Sequence, residues 1–246
     1  MTVDAAARPL AAVRAEVLDA LGTVQDPELH ESVVVLGFLS ACTVTDEGDA
    51  QVRLRLPTYF CAPNFAFLMV ADAYEAVSAV PGVRRTEVVL EDHFAADAIN
   101  TGVAAHAGFV ESFNGFAESE LDDLRAGFLR KSVLAGTDLV CRPLLASGRT
   151  PGELVSLDLG STPPSDDLDR LRARRRDLGL PAGDDAPLVI DVETGARLSL
   201  DDLPLHLRRA RLTRVGVEAN TSMCRGMFEH RYPSTPAENP ASEEDR

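Results

Sequence analysis

Tryptophan is absent from this 246-residue sequence, and aromatic residues together make up only 5% of it. Lysine is almost absent as well, since Lys131 is the only lysine among 24 basic residues. Acidic residues number 39, so the formal net charge is −15. A nucleic-acid-binding protein needs a positively charged face, so this charge balance argues against nucleic acid as a partner.

The sequence also lacks a long hydrophobic run. No segment approaches the roughly 18 apolar residues that a membrane span requires, and the first residues do not have the pattern of a secretory signal. The four cysteines, at positions 42, 61, 141 and 224, form no C-x-x-C pair, so their spacing predicts neither a structural zinc site nor a redox dithiol. This cysteine usage is typical of a reducing compartment, and we expect a cytoplasmic protein.

Motifs of the common enzyme classes are missing too. The sequence contains no G-x-S-x-G, no phosphate-binding P-loop, no G-x-G-x-x-G after a strand and no H-E-x-x-H. We therefore do not expect an enzyme. A thiol-dependent enzyme with Cys61 as its nucleophile is the weaker alternative.

Hydrophobic periodicity predicts an α+β fold for the first part of the chain. Apolar residues recur with helical spacing over residues 10–21 and 63–79, and strands are expected over residues 39–45, 51–56 and 83–90. Two helices on one face of a small three-stranded sheet form a compact unit.

After residue 90 the pattern predicts a mainly helical region. Helices are expected at residues 94–107, 118–135, 166–178 and 200–211, with Gly136 ending the second of them and a small hairpin at residues 188–198. We divide the chain into an α+β domain over residues 1–108, a mainly helical domain over residues 116–232 and an acidic, proline-rich tail over residues 233–246. The composition of this tail predicts disorder.

The most informative residue is Cys61, which comes two residues before Pro63. Proline is favoured in the first turn of a helix, so the sequence places this thiol just outside a helix N-terminus. The exposed N–H groups and the dipole at such an end favour the thiolate, the form of cysteine that binds metals. A small buried cysteine that only packs in the core is the alternative.

The surroundings of Cys61 carry a family resemblance. The order of features is a helix, the turn Asp26-Pro27-Glu28-Leu29, the apolar run VVVLGF, a hairpin, a T-x-x-C-x-P loop, a second helix, Val80-Pro81-Gly82-Val83 and a last strand. Residues 10–90 in this order resemble the SufT/PaaD-like family of metal–sulfur cluster assembly factors. The family usually places proline directly after the cysteine, whereas Ala62 intervenes here.

This resemblance implies a working site formed by Cys61 with Asp26, Pro27 and Glu28, and with Thr58 as a companion. It implies a cytoplasmic maturation factor that carries a transient iron or iron–sulfur cluster to a client metalloenzyme, with a multicomponent oxygenase as one client class. A non-metal assembly chaperone or adaptor, whose helical C-terminal part grips an oxygenase, is the alternative from another class. A homodimer is also compatible with the sequence.

One cysteine cannot hold an iron–sulfur cluster, which usually takes four thiolates or near equivalents. The best additional ligands in the chain are Cys224, beside Arg225, and His230, in a stretch expected to be an irregular loop. Nothing in the spacing ties this stretch to the first domain, so we expect Cys61 and Cys224 to lie far apart. His30 and His93 are expected to be surface or capping residues.

Overall fold

The computed structural model describes residues 8–113, 117 and 119–233. Its first part is the α+β unit that the sequence predicts, with helices packed on a three-stranded sheet. The elements are α1 (Leu10–Thr23), β1 (Leu39–Val44), β2 (Asp49–Arg55), α2 (Pro63–Ser78), β3 (Arg85–Glu91) and α3 (Ala96–Ala104).

The sheet is mixed, with strand order β1-β2-β3. β1 and β2 form an antiparallel hairpin, whereas β2 and β3 are parallel and α2 is the crossover between them. Along β2 the side chains of Val52 and Leu54 are buried, and Arg53 between them is exposed. Glu91 of β3 accepts ion pairs from Arg53 at 3.0 Å and Arg55 at 2.8 Å, so these side chains link neighbouring strands outside the core.

The first hydrophobic core lies between this sheet and its helices. α1 contributes Val13, Val17 and Leu21, which share one helix face because they are four residues apart. α2 begins at Pro63, as the sequence predicts, and buries Val70 and other apolar residues against the sheet. Because α2 packs against the sheet, its first residue has a defined position. The preceding loop, which carries Cys61, is therefore held in place at that end.

The C-terminal part is mainly helical, also as predicted, and has a second hydrophobic core. Val133, Leu154, Leu171, Leu188 and Leu203 are fully buried in it. The elements are α4 (Phe109–Ser112), α5 (Asp122–Ala146), α6 (Pro151–Ser156), a 3-10 turn (Leu159–Ser161), α7 (Asp166–Asp177) and α8 (Leu203–Arg231).

The predicted helix end at Gly136 is wrong, because α5 continues through it to Ala146. Gly136 does not have the positive φ that a helix-ending glycine adopts. It lies where α5 packs against α7, and an added Cβ would stand 3.4 Å from Leu171 Cδ1. Gly136 is therefore an interior helical residue at the contact between α5 and α7.

The last helix is much longer than the predicted residues 200–211. α8 has 29 residues and is about 43 Å long at 1.5 Å per residue. The stretch from Asn220 to His230, expected to be an irregular loop, is regular helix throughout. One reason is that no proline interrupts the sequence between Pro204 and Pro233.

The hairpin predicted at residues 188–198 is reduced to an isolated bridge between Ile190 and Arg197. The buried Arg175 of α7 donates hydrogen bonds to backbone carbonyl groups of this segment. Its Nη1 donates to Pro187 O at 2.8 Å and its Nη2 to Leu188 O at 2.6 Å. These carbonyls are thereby satisfied without a regular strand ladder.

Contacts that do not involve α8 also join the two parts of the chain. Arg125 of α5 forms a two-pronged ion pair with Asp72 of α2, at 2.7 and 2.6 Å. Arg174 of α7 donates from Nη2 to the carbonyl of His30 at 3.0 Å. The division into domains at residues 1–108 and 116–232 stays a prediction, and residues 234–246 of the predicted disordered tail lie outside the described residues.

Among the helices that the structure describes, none combines the length and apolar character needed to cross a bilayer.

Candidate functional site

Cys61 lies in the loop over residues 57–62, called the Cys61 loop below, immediately before the N-cap residue Ala62 of α2. Its side chain is partly exposed. The Thr58 hydroxyl lies 3.3 Å from Cys61 Sγ and also accepts from the Phe60 N–H at 3.2 Å. Thr58, expected as a companion of the thiol, is therefore in direct contact with it.

His93 anchors the Cys61 loop from the other side. Its Nδ1 accepts from the Ala95 N–H at 3.2 Å, so Nε2 carries the proton and donates to the carbonyl of Cys61 at 2.7 Å. Burial lowers the pKa of His93, and the nearby charge of Arg231 lowers it further, which favours this neutral form. His93 is only 5% exposed, so of its two expected roles, surface or capping residue, the surface role is wrong. Its role is to position the loop.

Asp26, Pro27 and Glu28 form the turn that follows α1, called the DPE turn below. Asp26 Oδ1 accepts from the N–H groups of Glu28 at 2.9 Å and Leu29 at 2.8 Å, which is the geometry of an Asx-type turn. The Asp26 carboxylate is buried, and burial raises its pKa. Asp26 therefore shapes the turn and places negative charge inside it.

The C-terminal helix α8 crosses this site. Asn220 Nδ2 donates to Glu28 Oε1 of the DPE turn at 3.1 Å. Two turns further along α8, the Phe228 ring packs on Phe38 of the first core, with ring centroids 5.5 Å apart. At the end of the helix, Arg231 donates to the carbonyl of Leu56, directly before the Cys61 loop, at 3.2 Å.

Cys224 lies on α8 between these contacts, four residues from Asn220 and four from Phe228, and therefore on the same face of the helix. Cys224 and Cys61 both pack against the first hydrophobic core. The expectation that the two thiols lie far apart is wrong, because α8 holds Cys224 against the same core as Cys61, close enough for the two thiols to interact electrostatically. The proximity of Cys224 to Cys61 could not be predicted from the sequence, because the contacts that produce it join residues as many as 192 positions apart.

The electrostatics of Cys224 reflect the same arrangement. Burial raises its pKa to about 11, and the proximity of Asp26, Cys61 and Glu28 contributes to the rise. Arg225, expected to favour the thiolate of Cys224, is exposed and does not offset these effects. The unliganded Cys224 is therefore a protonated thiol at neutral pH.

His230 does not join this group of side chains. It is exposed, and six residues after Cys224 it lies about 240° around the helix, away from the face that meets the DPE turn. In the described residues 8–113, 117 and 119–233, no group of three or more His, Cys, Asp or Glu side chains has the geometry of a metal site. Cys61 and Cys224 are thus a pair of soft donors without a complete ligand set.

The other two cysteines lie outside the site. Cys42 is half-buried on β1 and Cys141 is buried in α5. Burial raises the pKa of Cys42, and it raises the pKa of Cys141 to about 12. Both act as packing residues and provide natural controls for experiments on Cys61 and Cys224.

Three aromatic rings are exposed beside Cys61, a feature that the sequence analysis missed. Tyr59, Phe60 and Phe94, called the aromatic patch below, are 47%, 77% and 49% exposed. Their ring centroids lie 5.0 to 6.2 Å apart, so they form one cluster. Tyr59 and Phe60 directly precede Cys61 in the sequence. Phe94 is remote in sequence, and a backbone bond from its N–H to Tyr59 O at 3.1 Å also holds it beside them.

A cleft of about 950 Å³ lies between the DPE turn and helices α5 and α7. Asp26, Pro27 and His30 line it, together with Ser132 and Arg174, whereas Cys61 and Cys224 do not. His30 is partly buried here with its Nε2 shielded from solvent, and its backbone is left-handed with φ 57°.

Comparison with known proteins identifies the first part of the chain. A family model described as "Iron-sulfur cluster assembly protein" matches residues 14–90. An uncharacterised protein of Methanocaldococcus jannaschii is 36% identical over 85 residues, which cover 35% of this chain and 87% of that protein. The chain belongs to the iron–sulfur cluster assembly protein family. The predicted resemblance is thereby confirmed for the N-terminal part, and the rest of the chain is unassigned.

A solved structure also matches this iron–sulfur cluster assembly domain. The crystal structure of a domain of unknown function from Bacillus anthracis is 27% identical, with a TM-score of 0.31, and the match covers 32% of this chain and 74% of that one. The matched family segment contains both the DPE turn and Cys61, whereas α8, with Cys224, lies outside it.

Proposed function

We propose that this protein is a cytoplasmic, non-catalytic assembly factor that delivers iron or an iron–sulfur cluster to a client metalloenzyme, with Cys61 as a transient ligand of the cargo. The observation that carries the proposal is the position of Cys61: a partly exposed thiol at the start of α2, inside the segment that defines the family membership. A partly exposed thiol suits a cargo that has to leave again.

The structure around Cys61 supports delivery to another protein. The Cys61 loop is anchored by Thr58 and His93, so the thiol has a defined position. The aromatic patch next to it is the kind of exposed apolar cluster that marks a protein contact surface. Aromatic side chains often dominate binding energy at such surfaces. A multicomponent oxygenase is the client class that the sequence resemblance suggests.

The test is anaerobic loading with iron and sulfide, followed by transfer to an apo-ferredoxin, monitored through the visible circular dichroism of the acceptor. The Cys61→Ser variant should lose transfer, whereas Cys42→Ser, a half-buried cysteine outside the site, should keep it. Equal transfer by wild type and Cys61→Ser would show that Cys61 is not the transient ligand of the cargo.

A non-metal adaptor is the second candidate, and the aromatic patch is the observation that favours it, since a contact surface needs no metal. Replacement of Phe60, which is 77% exposed, by Ser should leave folding intact and weaken capture of a client. If Phe60→Ser abolishes capture while Cys61→Ser leaves client activation unchanged, the adaptor function is favoured. If both variants lose activation, the patch and the thiol serve the same delivery step.

A further inference from the structure

We propose that Cys61 and Cys224 together form a two-thiol site for a thiophilic divalent metal ion, to which the C-terminal helix α8 supplies the second sulfur. The inference deepens the proposed function and rests on it only for the biological cargo. The family segment ends at residue 90, so the second donor is a feature that this chain adds to the family domain.

The geometry that carries the inference is the fixed course of α8 over the site. Three contacts define it: Asn220 with Glu28 at 3.1 Å, Phe228 with Phe38, and Arg231 with the carbonyl of Leu56. Cys224 lies inside the interval that these contacts span and faces the same way. Its position relative to the Cys61 loop is therefore set by contacts on both sides of it.

The surroundings of the two thiols suit a cation better than they suit two thiolates. Glu28, which Asn220 contacts at 3.1 Å one helical turn from Cys224, and the buried Asp26 of the same turn place carboxylates beside this part of α8, while the guanidinium of Arg231 is directed to main-chain carbonyl oxygens of Leu56 and Asp92. A divalent ion would neutralise this negative charge, and each thiol would release its proton to solvent when its sulfur binds the metal. Thiolate sulfur selects soft and borderline ions such as Zn²⁺ and Fe²⁺.

The remaining ligands would come from a client protein. Tetrahedral metal sites use four ligands, and two thiols leave positions open. Thr58, with its hydroxyl 3.3 Å from Cys61 Sγ, can orient that sulfur without being a metal ligand. An incomplete ligand set allows a client cysteine to enter the coordination shell before the metal leaves.

Co²⁺ alone is the probe, because thiolate–cobalt bonds give charge-transfer absorption in the near ultraviolet, and no client is needed. Wild-type full-length protein under reducing, anaerobic conditions should bind about one Co²⁺ with this absorption. Cys61→Ala and Cys224→Ala should each weaken binding by more than about tenfold, the least that loss of even a supporting group usually costs. The control Cys42→Ala should bind as wild type does.

A second measurement requires no cysteine substitution. A short bifunctional alkylating reagent applied to wild-type protein should join Cys61 to Cys224, and peptide mass spectrometry should identify the joined pair. Preincubation with Co²⁺ should protect both residues from the reagent.

The two measurements separate failure of the inference from failure of the proposed function. Co²⁺ binding that is unchanged in Cys224→Ala, or absent in wild type, would overturn the two-thiol site, as would crosslinks that exclude Cys224. Transfer to apo-ferredoxin that still depends on Cys61 would then leave the proposed function standing. Conversely, Co²⁺ bound by both thiols without any cluster transfer would support the site and reject the delivery function.

Discussion

Asn220 of α8 donates a hydrogen bond to the carboxylate of Glu28, across 192 positions of sequence, at 3.1 Å. This bond joins the DPE turn of the family domain to a helix that the family segment does not include. The side chains of both residues are partly buried, so water does not fully replace the bond when it is lost. The position of Cys224, one helical turn further on, depends on this attachment.

Replacement of Asn220 by Ala should therefore loosen the C-terminal half of α8. We expect a loss of about 1 kcal/mol in the free energy of unfolding, together with faster amide hydrogen exchange around Cys224 and faster alkylation of that thiol. Ser222→Ala is the matched control, because Ser222 is exposed and its hydroxyl bonds only within α8, to the carbonyl of Glu218. Equal exchange rates in the two variants would show that the Glu28 bond does not hold the helix.

The local sequence was sufficient to predict the α+β fold of the first part. The alternation of Val52, Arg53 and Leu54 identifies a strand with one buried face, and Pro63 marks the start of α2 beside Cys61. These signals act within a few residues, where side-chain spacing and backbone restrictions are strong.

The course of α8 could not be predicted in the same way. One face of α8 carries Asn220, Cys224 and Arg231 and is mostly polar. It lacks the apolar stripe that is typical of a packed helix. Its partners Glu28 and Leu56 are distant in sequence, and only the folded chain brings them together. The composition of the candidate site was therefore partly visible in the sequence, whereas the pairing of its two thiols was not.

A second attachment of α8 is the ion pair between Arg214 and Asp138 of α5, with Arg214 Nε 2.5 Å from Asp138 Oδ2. Both side chains are about 90% buried, and removal of Asp138 leaves Arg214 with the more exposed Glu218, at 2.6 Å, as its ion-pair partner. Asp138→Ala should lower the free energy of unfolding by about 2 kcal/mol. Glu193→Ala, which removes an exposed ion pair with Arg130, should change it by no more than about 0.5 kcal/mol. Chemical denaturation measures both, and a similar small effect for Asp138→Ala would contradict the tight packing of α8 on α5.

Gly136 offers a test of the continuous helix α5. Alanine is favoured over glycine in a helix interior by about 1 kcal/mol, and the new Cβ would meet Leu171 Cδ1 at 3.4 Å, an ordinary contact distance. Gly136→Ala should therefore raise the midpoint of thermal unfolding. Gly148→Ala is the contrasting control, because Gly148 has a φ of 97°, which alanine adopts only with strain. Destabilisation by Gly136→Ala would mean that the contact with Leu171 leaves no room for the methyl group.

His30 makes the stability of the protein depend on pH. Burial lowers its pKa to about 3, with added effects from the positive charges of Arg174 and Lys131, whereas an unfolded histidine has a pKa near 6.5. Below about pH 6.5, His30 is protonated in the unfolded chain but stays neutral in the folded protein. The free energy of unfolding should therefore fall by up to about 1.4 kcal/mol per pH unit from this residue until the pH approaches 3.

Replacement of His30 by Asn should remove this contribution, and Asn tolerates the left-handed backbone at this position. Urea denaturation between pH 7 and pH 4, about the range where the two states differ in protonation, should show a shallower pH dependence for His30→Asn than for wild type. The raised pKa of Asp26 acts in the opposite direction, but it is present in both proteins and cancels in the comparison. His106→Asn controls for the backbone, because His106 is exposed and also left-handed, with φ 55°. Parallel pH curves for wild type and His30→Asn would mean that His30 is not held neutral in the folded protein.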